Sequence, residues 1–222
     1  MFRIKICGIT RVEDARAAAD AGADAIGLNF YPRSKRHVSR EAAGRIVAAL
    51  PAGVAKVGVF VNASAEEVRE TASQLRLDWV QLHGDEPPEF LAELAGLPTI
   101  RALRCDASGL EWIEQHLARC THLGCLPEGV LIDALAPGEY GGTGRRAPWE
   151  LLTGERLWLG GRPLILAGGL VPENVETAIR TVHPAAVDTA GGVERVPGVK
   201  DHDRLQSFVE AARRAFAVVA KD

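Results

Sequence analysis

The chain has no surplus of basic charge, few cysteines, no long apolar run and no dinucleotide-binding fingerprint. Lys and Arg number 26 against 29 Asp and Glu, for a net charge of −3. That balance lacks the electrostatic footprint of a nucleic-acid binder or of a protein held on an anionic membrane. The four cysteines, Cys7, Cys105, Cys120 and Cys125, are scattered over 222 residues, too thinly for a disulfide scaffold. A reducing cytoplasm is the compartment such usage fits. Apolar runs are strand-length and are broken by Gly, Asp or Arg, well short of a membrane-spanning helix. The opening Met1-Phe-Arg-Ile-Lys-Ile-Cys7 carries charges inside its apolar stretch, which is not the block order of a secretory signal. After the first apolar run stands Cys7-Gly8-Ile9-Thr10, which is not G-x-G-x-x-G. Small-molecule chemistry in the cytoplasm, with no nucleic acid and no membrane as partners, is the expectation that remains.

Hydrophobic residues make up 47% and charged residues 25%, a globular composition. Short apolar runs alternate with helical patterns along the whole chain. The runs begin near Ile4, Ala25, Ala55, Trp79, Thr99, Gly129, Leu164 and Ala185. Each interval suits a βα unit, and strands alternating with helices imply a parallel sheet. Lys56-Val-Gly-Val-Phe-Val61 is apolar at nearly every position, as a strand covered on both faces would be. Thr10-Arg-Val-Glu13, Ser64-Ala-Glu-Glu67 and Ser108-Gly-Leu-Glu111 each fit a capping box at a helix start. Ala43, Ile46, Val47 and Leu50 form one helical stripe; Leu205, Phe208, Val209, Ala212 and Phe216 form another. Eight strands, each followed by a helix with nothing left over, predict an α/β fold, a single (β/α)8 TIM barrel spanning residues 1–222. The rival is a doubly wound open sheet, which would show five or six strands and a Gly-rich first turn.

Barrels of this kind place their active sites at the C-terminal strand ends. Sampling the sequence there gives a chemical inventory. Gly168-Gly169 follows the seventh run, and Ala190-Gly191-Gly192 follows the eighth. Gly141-Gly142-Thr143-Gly144 follows the sixth. Glycines let backbone N–H groups approach an anion closely, and barrels commonly hold phosphate after strands seven and eight. Cys7 and Asp133 each follow an apolar run, and a thiol and a carboxylate can work as a base and acid pair. A small core residue for Cys7, and a helix cap or salt bridge for Asp133, are the bland alternatives. Arg36 lies in the basic loop Arg33-Ser-Lys-Arg-His37, where it is either solvated or able to grip a carboxylate bidentately. His83 ends the fourth run and either lines the mouth or packs as a neutral ring. Asp188 reads best as a structural hydrogen-bonding group. Cys120, His122 and Cys125 lack a fourth ligand and zinc-like spacing, so no metal is expected there.

Several blocks resemble the phosphoribosylanthranilate isomerase family. They are Lys5-Ile-Cys-Gly-Ile-Thr10, Phe30-Tyr-Pro-Arg-Ser-Lys-Arg36, Val80-Gln-Leu-His-Gly84 and Leu131-Ile-Asp-Ala134, then Gly141-Gly-Thr-Gly144, Leu166-Ala-Gly-Gly-Leu170, Asn174-Val175 and Gly192-Val-Glu-Arg-Val-Pro-Gly-Val-Lys-Asp201. They occur in order from the first strand to the last helix. The resemblance implies a cofactor-free Amadori rearrangement in tryptophan biosynthesis. N-(5-phosphoribosyl)anthranilate would become 1-(2-carboxyphenylamino)-1-deoxyribulose 5-phosphate. It further implies Cys7 as general base, Asp133 as general acid and Arg36 as the grip on the anthranilate carboxylate. His83 is placed among the substrate-lining residues. Gly142, Gly168, Gly169, Ala190, Gly191 and Gly192 would bind the phosphate. The chain departs from the family's usual Ser-Ser-Gly after strand eight, where Ala190-Gly191-Gly192 lacks two hydroxyls. Another phosphate-binding barrel enzyme, or a barrel kept only for binding, stays open as an alternative. So does a homodimer, because a helix stripe does not reveal whether a second subunit covers it.

Overall fold

In the computed structural model, which describes residues 1–105, 109–134, 147–154 and 156–220, eight parallel strands close into a barrel. They are β1 (Ile4–Ile6), β2 (Ala25–Asn29), β3 (Ala55–Phe60), β4 (Trp79–Leu82), β5 (Thr99–Cys105), β6 (Gly129–Ala134), β7 (Leu164–Leu166) and β8 (Ala186–Thr189). Closure is direct, because β1 pairs with both β2 and β8. Seven of the eight start where the apolar runs start, and β8 begins one residue after Ala185.

Side chains alternate across a strand, and a closed barrel turns that alternation into two cores. Ile4, Ile6, Ile26, Leu28, Leu82, Ile132 and Val187 face outward and pack beneath the helices. Ala25, Val57, Ile100, Leu131, Ile165 and Ala186 form a separate inner cluster. Phe2 belongs to that inner cluster and meets Trp79 edge-on at 6.2 Å. Two residues further along the strands, the same alternation brings polar groups to the inner side. Lys5 leads to Cys7, Gln81 to His83, Leu131 to Asp133, and Ala186 to Asp188 and then Ala190.

Around the barrel run α1 (Val12–Ala21), α2 (Arg40–Ala48), α3 (Ala65–Leu75), the single turn α4 (Phe90–Glu93), α5 (Glu111–His122), α6 (Val175–Val182) and α7 (His202–Val219). The apolar stripe of α7 is buried throughout, from Leu205 to Phe216. Each large side chain so covered stabilises by roughly 1.5–3 kcal/mol. Ser64 caps α3 as expected, its hydroxyl accepting from the Glu67 N–H. Thr10 does not cap α1. Arg11 holds the N-cap position without a side-chain bond, and the Thr10 hydroxyl instead donates to the Gly198 carbonyl at 2.6 Å. The expected cap at Ser108 lies outside the described residues, and α5 begins after Leu110 with no side-chain cap.

The strict strand–helix alternation needs two corrections. Among the described residues, β6 and β7 are joined through short 3-10 turns, Trp149–Leu152 and Leu157–Leu159, rather than an α-helix. Between β8 and α7 the chain inserts an antiparallel hairpin, β9 (Glu194–Val196) and β10 (Val199–Lys200). Pro197-Gly198 makes its two-residue turn; Gly198 takes φ +84°, the left-handed setting that such a turn assigns to glycine. Thr10 binds that glycine's carbonyl, which is why a cap-like residue is used elsewhere.

Candidate active site

A cavity opens at the C-terminal mouth of the barrel. Cys7, Arg36, His83, Asp133, Gly168, Gly169, Ala190, Gly191 and Gly192 all line it. Every described residue singled out from the sequence as a site residue is thus brought into one place. Gly142, with the rest of 141–144, lies outside the described residues. Asn29 and Ser34 also line the cavity, joined by a hydrogen bond of 3.2 Å; sequence reasoning had not marked them.

Cys7 stands one residue beyond β1, partly exposed, over a layer of buried charge. Lys5, fully buried two residues before it, donates to Asp188 Oδ1 at 2.8 Å. The barrel register sets this pair, because Lys5 and Asp188 are direct partners of β1 and β8. Asp188 therefore has the structural role expected of it, and Lys5 is the partner that was missed. Burial pulls the Lys5 ammonium toward neutrality, yet Asp188 and Cys7 outweigh it and keep its pKa above the ordinary lysine value. For Cys7, burial and Asp188 push the thiol up, while Lys5 and Lys200 pull it down; the balance lies above the ordinary cysteine value. The positive neighbours are present, but desolvation outweighs them.

Arg36 is folded inward against the hairpin. Its Nε donates to both oxygens of Glu194 at 2.9 and 3.1 Å, and its Nη2 donates to Oε2 at 2.8 Å. Glu194 also accepts from Lys200 Nζ at 2.9 Å. Lys200 Nζ further donates to the carbonyls of Cys7 and Ala190, at 2.6 and 3.0 Å. The hairpin thus ties the backbone of Cys7 to the guanidinium of Arg36. Despite its burial, Glu194 is held below the ordinary glutamate range by Arg36 and Lys200. An arginine in a basic loop gives no hint of such a partner 158 residues away.

Across the mouth, His83 and Asp133 approach each other at 3.3 Å, Nε2 to Oδ2. The ring nitrogen is not aimed at the oxygen, so the contact is electrostatic rather than a formed hydrogen bond. On the other side of the ring, Gln81 Nε2 sits 2.9 Å from Nδ1. Asp133 Oδ1 accepts from the Ala134 N–H at 2.8 Å.

The glycines leave room that side chains would close. Gly168 takes φ +83°, and a Cβ there would lie 2.8 Å from the Ala134 nitrogen. At Gly192 a Cβ would lie 1.9 Å from the Leu170 carbonyl oxygen. No group of three or more His, Cys, Asp or Glu among the described residues is arranged to hold a metal. Cys120 is buried in α5, with its thiol pushed up to about 11 by burial. No described helix is long and apolar enough to cross a membrane.

The family model described as PRAI, N-(5'phosphoribosyl)anthranilate (PRA) isomerase, matches residues 4–211. The chain belongs to the phosphoribosylanthranilate isomerase family. It is an isomerase of tryptophan biosynthesis. The family member of Geobacter sulfurreducens is 46% identical over 214 residues, covering 96% of this chain and 99% of that protein. That of Acidithiobacillus ferrooxidans is 48% identical over 213 residues, covering 96% and 98%. The solved phosphoribosylanthranilate isomerase of Thermotoga maritima superposes with a TM-score of 0.84 at 41% identity, over 96% of this chain and all of that one. A further solved family structure, in complex with reduced 1-(o-carboxyphenylamino)-1-deoxyribulose 5-phosphate, matches with a TM-score of 0.81 at 40% identity, with 96% and 100% covered.

Proposed function

We propose that this isomerase works by acid–base catalysis in the mouth cavity, with Asp133 as general acid and Cys7 as general base. The substrate is a small phosphorylated molecule, N-(5-phosphoribosyl)anthranilate, and no cofactor is invoked. One observation carries the reading: a thiol, a carboxyl group, an arginine and two glycine turns line a single cavity at the barrel mouth.

The chemistry assigns each group a task. Opening the furanose needs a proton on the ring oxygen, which Asp133 supplies in its protonated form. The iminium so formed acidifies the neighbouring C2–H of the sugar. Cys7 as thiolate removes that proton, and the enolamine tautomerises to the ketone. Arg36 grips the anthranilate carboxylate, and His83 contributes to the wall around the substrate. Backbone N–H groups at Gly168, Gly169, Ala190, Gly191 and Gly192, with Gly142, take the phosphate. Residues 1–222 are read as one barrel domain, acting in the cytoplasm. A homodimer, the state described for the Thermotoga maritima protein, is the assembly proposed, and sedimentation at micromolar protein reads it.

The test uses freshly made phosphoribosylanthranilate, whose fluorescence decays as it is isomerised. Wild type clears the signal, while Cys7→Ser and Asp133→Asn stay folded and lose about 10²–10⁴-fold in kcat. Near wild-type turnover in either variant removes that residue from its role. Failure of the wild-type gene to rescue a tryptophan auxotroph lacking this step would overturn the whole assignment.

A further inference from the structure

Beneath the mouth lies a charged pair that the acid–base scheme does not use. Lys5 has no exposed side-chain surface and is bonded to Asp188 at 2.8 Å. A lysine buried this completely is costly unless it is paired, and the pair itself gives little net stability over apolar residues. Its position suggests another use. Lys5 and Cys7 sit two residues apart on the inner side of the barrel, so the ammonium's charge acts on the Cys7 thiol and favours its anion.

Gly27 on the neighbouring strand makes the same point independently. A Cβ at Gly27 would lie 2.7 Å from Cys7 Sγ and 3.2 Å from Lys5 Cε. The absent side chain leaves a space bordered by both the sulfur and the end of the lysine chain. We propose that Lys5, anchored by Asp188, is a positioning residue that serves as the counter-cation of the Cys7 thiolate. The inference rests on Cys7 as the base, and deepens it by naming what makes its anion tolerable inside the barrel.

The charged surroundings of Cys7 come from several elements. Lys5 approaches from β1, Asp188 from β8, Lys200 from β10 and Arg36 from the loop after β2, with Glu194 reached through Lys200 and Arg36. His83 and Asp133 line the same cavity. Among the cations acting on the thiol, Lys5 acts more strongly than Lys200. Lys200 spends its bonds on two carbonyls and Glu194. Lys5 has one anionic partner and the thiol.

The test is alkylation of Cys7 by iodoacetamide across pH, read by peptide mass in a Cys125→Ser background, since Cys105 and Cys120 are buried. The rate rises as the thiolate forms, so its midpoint reports the thiol directly. Lys5→Met is expected to move that midpoint upward by about 1–3 pH units, the range of one close opposite charge. Should the lone Asp188 prevent folding, the double variant Lys5→Met with Asp188→Asn leaves no unpaired charge. It is expected to shift the midpoint upward by less, because it removes an opposing charge as well. An unchanged midpoint in whichever variant folds overturns the proposal. Alkylation needs no turnover, so the outcome is separate from the base assignment. If Cys7→Ser turned over normally while the shift held, the base would fall and the counter-cation would stand.

Discussion

Arg36 and Glu194 meet through three hydrogen bonds of 2.8–3.1 Å, although 158 residues separate them. The pairing engages Nε and Nη2 of the guanidinium and leaves Nη1 outside it. It also lays the arginine along Gly8, where a Cβ would lie 2.5 Å from Arg36 Cδ. A bidentate grip on a carboxylate depends on such fixed geometry. Glu194→Gln keeps the shape of the side chain and weakens the pairing. We expect KM for phosphoribosylanthranilate to rise about tenfold, with kcat changing less, a loss on the scale of one charge-assisted hydrogen bond. Steady-state kinetics read the split, and an unchanged KM would mean that the hairpin does not set Arg36.

His83 and Asp133 call for a different test. Gln81 Nε2, a donor, sits 2.9 Å from Nδ1, which leaves Nε2 to carry a ring proton 3.3 Å from the carboxylate, though not aimed at it. That arrangement supports Asp133 after it has given its proton away. His83→Ala is therefore expected to lower kcat by about tenfold at most, well short of the loss in Asp133→Asn, because the most this electrostatic contact can become, by a turn of the ring, is one neutral hydrogen bond of roughly 1 kcal/mol. A loss as large as that of Asp133→Asn would make His83 itself the acid.

Much of this was legible in the sequence because a barrel repeats one rule. Period and spacing marked eight strands, and knowing that sites gather at strand ends picked Cys7, His83, Asp133 and both glycine turns. What escaped depends on contacts across the chain. Lys5 reads as an interruption of an apolar strand until the β1–β8 register places Asp188 beside it. Glu194 and Lys200 stand in the sequence only as members of a family-like block, without a role, until Pro197-Gly198 folds them into a hairpin against Cys7 and Arg36. Thr10-Arg-Val-Glu13 has the spacing of a cap, but the hairpin's carbonyl takes the hydroxyl. Periodicity reports local order; it does not report which distant group claims a side chain.

The phosphate end gives two substitutions of opposite sign. At Gly192 the obstacle to a Cβ is the backbone oxygen of Leu170, 1.9 Å away, which cannot swing aside like a side chain. Gly192→Ala should lower Tm and raise the inhibition constant of inorganic phosphate. Ala190→Ser adds a hydroxyl where this chain lacks one, in a residue that lines the cavity. It should tighten phosphate binding by about 0.5–1.5 kcal/mol, the net contribution of one hydrogen bond. Competitive inhibition by phosphate reads both, and an alanine at 192 without effect would place the phosphate elsewhere.

Far from the mouth, His116 on α5 makes stability depend on pH. Burial, and then the nearby Arg101, lower its pKa to about 4. Arg101 Nε donates to His116 Nε2 at 3.4 Å, so the folded state needs that nitrogen without a proton. Arg101 cannot easily retreat, since it also donates to Glu86 and to the carbonyls of Leu82 and Gly84. In the unfolded chain the ring titrates near 6.5. The folded pKa is the lower one, so the unfolded state binds more protons between the two values. This stabilisation is complete above about pH 6.5 and is lost as pH falls toward about 4. Since the ring is partly exposed, solvent screening leaves about 1 kcal/mol of the shift's nominal value. His116→Gln keeps an acceptor for Arg101 and cannot take up a proton. The variant should melt like wild type at pH 7.5 and lose less Tm than wild type by pH 4.5. Parallel Tm curves for the two proteins across that range would show that His116 titrates normally in the fold.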